Sequence, residues 1–150
     1  MNKEKQKLGS TLFIPVILLL IMWVVKIVEY GFGIELSFLG IHPLHVDGLP
    51  GIALSPFLHG GFEHLIANTL PFLVLSIALF YFYRQISIKV LIGIWLLSGL
   101  WTWFGGRDSW HIGASSLIYG FSAFLFFSGM IRKDNRLAAL ALIVAFLYGS

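Results

Sequence analysis

The sequence contains no cysteine. Disulfide scaffolds, Cys-ligated zinc, iron–sulfur clusters and thiol catalysis are therefore excluded, and cysteine usage gives no redox compartment. Charge is scarce as well: Asp, Glu, Lys and Arg make up 11% of the 150 residues, against about 25% in soluble domains. The formal net charge is +3, and the basic residues stand in short clusters between apolar runs, a pattern of membrane topology rather than nucleic-acid binding. What fills the chain instead is apolar, 58% of it. A domain of this length still exposes roughly 30% of its unfolded surface, so it cannot hide that much apolar surface in its own core. Lipid must be the solvent for much of it.

Five segments approach or reach the about 20 apolar residues that a crossing helix needs: 12–28, 65–83, 86–104, 113–131 and 137–150. The first four read as complete spans. The fifth is short and runs to the last residue, so the expectation is an all-α polytopic bundle, one domain over residues 1–150, incomplete at its C-terminal end. The first run follows Lys3, Lys5 and Lys7 as a signal peptide would, but no small-residue cleavage site follows it and Lys26 and Glu29 interrupt. It reads as an anchor.

Basic residues stay on the cytoplasmic side. Lys3, Lys5 and Lys7, then Arg84 and Lys89, then Arg132, Lys133 and Arg136 all fall at one end of the alternating spans. Residues 1–11 are thus expected to be a cytoplasmic N-terminus, and a bacterial inner membrane suits the short N-terminus without transit features. The connection from Glu29 to Glu63 carries no Lys or Arg, and Arg107 is balanced by Asp108, so these two loops face outward. The first is long for a bundle, where connections run to about 8 residues. It is also too apolar for a solvated linker, and is expected to pack on the bundle or dip into the outer leaflet.

Polar side chains within spans are costly and therefore candidates for function. His64 and Asn68 lie four residues apart, on one helical face, at the outward end of the second span. Ser115 and Tyr119 have the same spacing at the outward end of the fourth. Acyl transfer fits this arrangement: a hydroxyl nucleophile needs donors for the oxyanion, and Asn or His side chains with helix N-terminal amides supply them. Gly113, Ala114 and Gly120 would let the fourth span approach a neighbour closely.

The segment LSPFLHGGFEHLIANTLPF, with His-x4-His-x3-Asn spacing, followed about fifty residues on by GASSLIYG, resembles the rhomboid family of intramembrane serine proteases over roughly residues 50–130. The resemblance implies that Ser115 is the nucleophile and that His64 and Asn68 help form the oxyanion hole. It further implies that Gly113 opens the Gly-x-Ser motif, that Tyr119 packs on a catalytic imidazole, and that His59 shapes the outer end of the site. The substrates implied are transmembrane proteins cut near the outer face. Two features depart from the family: Ser116 stands where Gly is frequent, placing two hydroxyls side by side, and the first outer loop lacks the family's Trp-Arg pair. The family's base is a His on a sixth span, a position none of the five histidines fills, so the isolated chain is expected to be inactive.

Plainer readings exist for each feature. His64 and Asn68 alone could be interhelical hydrogen-bonding residues, and Ser76, Ser98, Ser122 and Ser128 read as small-residue packing. Trp101, Trp103 and Trp110 read as an interfacial belt. His42, His45, His59 and His64, with Glu63 and Asp47, face outward, yet the spacing of His59 and His64 fits neither zincin arrangement. No metal or cofactor is expected. A rhomboid-like protein that binds membrane clients without cutting them is the main alternative; a transporter or channel would need charges along its spans, and Lys26 is nearly alone.

Overall fold

The computed structural model describes residues 3–149. The side chains of Lys3, Lys5 and Lys7, on which the N-terminal part of the topology rests, and Ser150 at the end of the fifth run lie outside what is described. Helix α1 (Lys3–Phe32) passes through Pro15 and stops at Gly33. There the left-handed conformation (φ +63°) lets the Ile34 and Gly33 amides donate to the carbonyls of Glu29 and Tyr30, a glycine-closed helix end. Four short turns follow, among them α2 (Gly51–Leu54) and the 3-10 turn Ser55–Phe57. Then come α3 (Phe62–Phe82), α4 (Ser87–Gly105), α5 (Ser115–Ile131) and α6 (Asn135–Gly149).

The centre of the bundle is the contact of α3 with α5. Leu65, Phe72, Leu75 and Leu79 line one stripe of α3, and Leu117, Ile118, Phe121 and Leu125 one stripe of α5, all fully buried. Met22 of α1 and Leu137 and Ala141 of α6 close this core from either side. Helix α5 packs most extensively on α6: Lys133 turns left-handed (φ 57°), Asp134 caps α6 through the Leu137 amide at 3.2 Å, and Gly129 abuts Ala138. Many other large apolar side chains point outward, including Leu20, Val24, Leu97, Trp101, Leu142 and Phe146. Such outward apolar faces suit acyl chains.

Three helices, residues Thr11–Phe32, Phe62–Phe82 and Ser87–Gly105, are long and apolar enough to cross a membrane. The fourth begins at Ser115 instead of Gly113, and its 17 residues extend about 26 Å at 1.5 Å per residue. Gly113 is withheld from the helix by its φ of +112° and by its amide, which donates to the Ser55 carbonyl at 2.8 Å. Arg84 and Arg132 share one end of the bundle, where Arg132 lies 5.1 Å from the centre of the Tyr83 ring. The serines of the spans bond back onto their own helices, Ser76 to the Phe72 carbonyl at 2.6 Å and Ser98 to that of Trp95 at 3.2 Å. Ser122 is buried without a partner.

The outer loop packs on the bundle. Trp95 and Trp103 of α4 donate their indole N–H groups to the carbonyls of Ile52 and His45, at 3.1 and 2.9 Å. Ile41 and His111 exchange backbone hydrogen bonds of 2.9 and 2.8 Å, joining this loop to the one that enters α5. Of the three tryptophans expected in an interfacial belt, Trp101 is exposed to 82%, whereas Trp103 holds the loop and Trp110 lies against His42.

Candidate active site

Two interruptions of regular structure create the site. Gly60 and Gly61 bring the chain into α3 in extended form, Gly61 at φ −165° and ψ 172°, so that His64 sits in the first turn and Asn68 one turn deeper. Gly113 brings the chain into α5, placing Ser115 at its first position. The two helix ends meet so closely that a Cβ on Gly113 would stand 2.7 Å from His64 Cε1, 2.9 Å from His64 Nε2 and 3.6 Å from Asn68 Nδ2. Only glycine satisfies both the left-handed backbone and the missing space.

Asn68 is 1% exposed. Its Oδ1 accepts a hydrogen bond of 2.5 Å from the Tyr148 hydroxyl, while its Nδ2 is buried with no partner. An amide N–H in that condition forfeits roughly 1–3 kcal/mol, and it stands beside Gly113, two residues before the serine. Ser115 is half-buried, lines a small cavity of about 90 Å³ with Ser116, Ser55, Thr102 and His111, and neighbours Tyr148. Both serines reach that cavity. Of the two, Ser115 is the one beside the Tyr148–Asn68 pair.

His59 and His64 meet edge to face, centroids 5.1 Å apart. His59 is 2% exposed and its ring nitrogens form no well-made hydrogen bond, the Phe57 backbone interacting only loosely. Burial above all, and the neighbouring His64 next, push its pKa from 6.5 down to about 4, so it is neutral at physiological pH. Its carbonyl is held by Lys26 Nζ at 2.9 Å, and Lys26 is paired at 3.3 Å with buried Glu29, whose other oxygen accepts the Leu36 amide at 2.8 Å. Thus Lys26 is a strut that fixes the approach to α3.

The residues singled out in the sequence are therefore found together: Ser115, Gly113, His64, Asn68 and His59 converge where α3 and α5 begin. Tyr119 follows one turn below Ser115, half-exposed, with its ring 5.4 Å from that of Tyr148. Its aromatic neighbour is a tyrosine of α6, not an imidazole. Sequence reasoning missed Tyr148 and Ser55. Tyr148 is the one residue with a side-chain hydroxyl between 137 and 149, a signal that could have been used; Ser55 acts through its backbone and carries none. Between α3 and α6 an apolar groove of about 490 Å³, lined by Ile66, Leu70, Val74, Val144 and Leu147, opens beside Tyr148.

The Rhomboid domain family matches residues 48–150. Uncharacterised proteins of Mycobacterium tuberculosis and Mycobacterium bovis are each 35% identical over 154 aligned residues, covering 99% of this chain and 63% of their own length. An uncharacterised Mycobacterium leprae protein is 39% identical over 119 residues, 73% of this chain and 46% of its own. The chain thus spans under two thirds of the length of these relatives. No solved structure gives a significant match. The match takes in α2 to α6 whole, more than half of the sequence, and the chain belongs to the rhomboid family.

Proposed function

We infer that this chain carries the nucleophile and oxyanion donors of an intramembrane serine endopeptidase that cuts transmembrane proteins near the outer face of the membrane. The carrying observation is the buried, unpartnered Nδ2 of Asn68 beside the turn that presents Ser115. A donor left free inside a protein acquires its partner when charge develops on a carbonyl oxygen under attack, and such preorganisation is worth more in a dry site than in water. Ser115 Oγ attacks the scissile carbonyl, giving its proton to a base that passes it to the amine leaving as the peptide C–N bond breaks. His64, Asn68 and amides at the start of α5 hold the oxyanion, and water then hydrolyses the acyl-enzyme. Family membership supports the reading, and the apolar groove between α3 and α6 offers a substrate helix a way toward Ser115 from the lipid. Helical spacing and the basic clusters support an outward site with the N-terminus in the cytoplasm of a bacterium.

The base lies outside residues 1–150. Tyr148 neighbours Ser115, and a phenol, with an ordinary pKa of about 10, accepts no proton at neutral pH. In a version extended to the full length of the mycobacterial relatives, a transmembrane reporter is cleaved and Ser115→Ala abolishes cleavage, a loss on the order of 10⁴–10⁶ in rate. Residues 1–150 alone do not cleave it, and co-expression with the remaining segment restores activity. Cleavage by the 150-residue chain, lost on Ser115→Ala, would refute the external base. A second reading is a rhomboid-like protein that retains membrane clients uncut; the Tyr148 bond to Asn68, which occupies one side of the oxyanion machinery, favours it. A fluorophosphonate that fails to label the extended protein, together with recovery of uncut client, would decide for that reading.

A further inference from the structure

Away from the serine, the outer loops bring a second set of side chains together. His42 and His45 are stacked, centroids 3.9 Å apart and planes within 6°. Asp108, from the loop between α4 and α5, places Oδ1 2.9 Å from His42 Nε2 and 3.8 Å from His45 Nε2. The three ligating atoms lie within 4.8 Å of one another. On its other side, His42 Nδ1 is buried without a hydrogen bond and faces Asp47 Oδ1 at 3.6 Å, while Trp110 covers the ring, centroids 4.6 Å apart. The paired backbones of Ile41 and His111 hold the two loops in this register.

We propose that His42, His45 and Asp108 form a binding site for a divalent transition-metal ion of the zinc type, open to the outside medium. Two imidazoles and a carboxylate are the donors such ions favour, and three protein ligands leave one position for water. With bonds of about 2.1 Å, tetrahedral ligand atoms stand about 3.4 Å apart, close to the spacing present, but ring lone pairs lie in the ring planes, so the parallel stack must open for both to meet one ion. His45 and Asp108 are free to swing, being 53% and 83% exposed. His42 is the fixed member. Asp47 Oδ1 faces its Nδ1 at 3.6 Å and its Nε2 is left for the ion, so the outer carboxylate is placed to orient the ring as in carboxylate–histidine–metal sites. Asp47 and Asp108 together balance the charge of a dication. The histidine spacing alone could not reveal this set, because its third donor comes from a loop more than sixty residues away. Five residues past Asp108 stands Gly113, so the ion fastens the first outer loop to the segment that leads into Ser115. The site requires nothing of the proteolytic reading.

The test uses the tag-free 150-residue chain in detergent, stripped with a chelator and titrated with Zn²⁺ alone by calorimetry, with Co²⁺ absorbance reporting the ligand field. One ion per chain binds with micromolar affinity, saturating Zn²⁺ raises the thermal midpoint, and His42→Ala and Asp108→Asn each weaken binding at least about tenfold. Asp108→Asn is the safer variant, since so exposed a side chain is dispensable for folding. His111→Gln, whose native ring bonds to the Arg107 carbonyl instead, binds as the parent does. Absence of saturable uptake overturns the proposal. Uptake indifferent to Asp108→Asn overturns it equally, by moving the ion to His59 and His64.

Discussion

At Gly113 a single added methyl group meets two obstacles at once, a left-handed backbone and the His64 ring. Gly113→Ala should cost about 1–3 kcal/mol and displace the imidazole, so the extended protein should lose cleavage while remaining helical by circular dichroism. The adjacent hydroxyls separate by neighbour. Ser115 stands beside Tyr148 and Ser116 only lines the shared cavity, so Ser116→Ala should retain substantial activity and a fluorophosphonate should label Ser115 alone. Asn68→Ala, removing one donor among several, should lower the rate on the order of 10²–10³. Titration adds a further effect at His59, whose folded pKa of about 4 lies below its ordinary 6.5. Between these values the unfolded chain binds the extra proton, so stability from this residue is complete above pH 6.5 and is lost as pH falls toward 4. The loss reaches up to about 3 kcal/mol. Thermal midpoints in detergent from pH 8 to pH 4 should fall more steeply for the parent than for His59→Phe.

Among the elements, the outer loop depends on backbone-to-backbone proximity. A Cβ on Gly51 would lie 2.0 Å from the Gly40 carbonyl oxygen, so Gly51→Ala should detach the loop and destabilise the chain by about 1–3 kcal/mol, visible as new protease cuts between residues 36 and 58. The three long apolar helices and the two shorter ones were legible in the sequence because lipid demands uninterrupted apolar length, and the two polar motifs because buried polar groups are few there. The loop's path was not legible: its short turns are set by carbonyls that find donors on Trp95 and Trp103 of another helix, and composition assigned Trp103 to the lipid interface. For the same reason α5 was read two residues too long, since the Ser55 carbonyl that claims the Gly113 amide leaves no mark in the sequence near residue 113. Likewise Tyr148 is anonymous in an apolar run until the fold sets it on Asn68.

For the molecule as a whole, the arrangement of charge sets orientation. Arg84 and Arg132 gather at one end of the bundle and the serine cavity lies among the loops at the other. In this cysteine-free chain, single cysteines near Arg84 or Lys133 should react with membrane-impermeant reagents only after the cytoplasmic face is opened, and one at Gly60 should react from outside. Labelling in the reverse order would invert the topology. Three indoles carry cross-element bonds, Trp23 to Thr69 of α3 at 3.1 Å and Trp95 and Trp103 to the outer loop. Breaking any of them changes the polarity around a chromophore, so the emission colour and lifetime of native tryptophan give a label-free optical record of when α1 or the loop lifts from the bundle in a living bilayer.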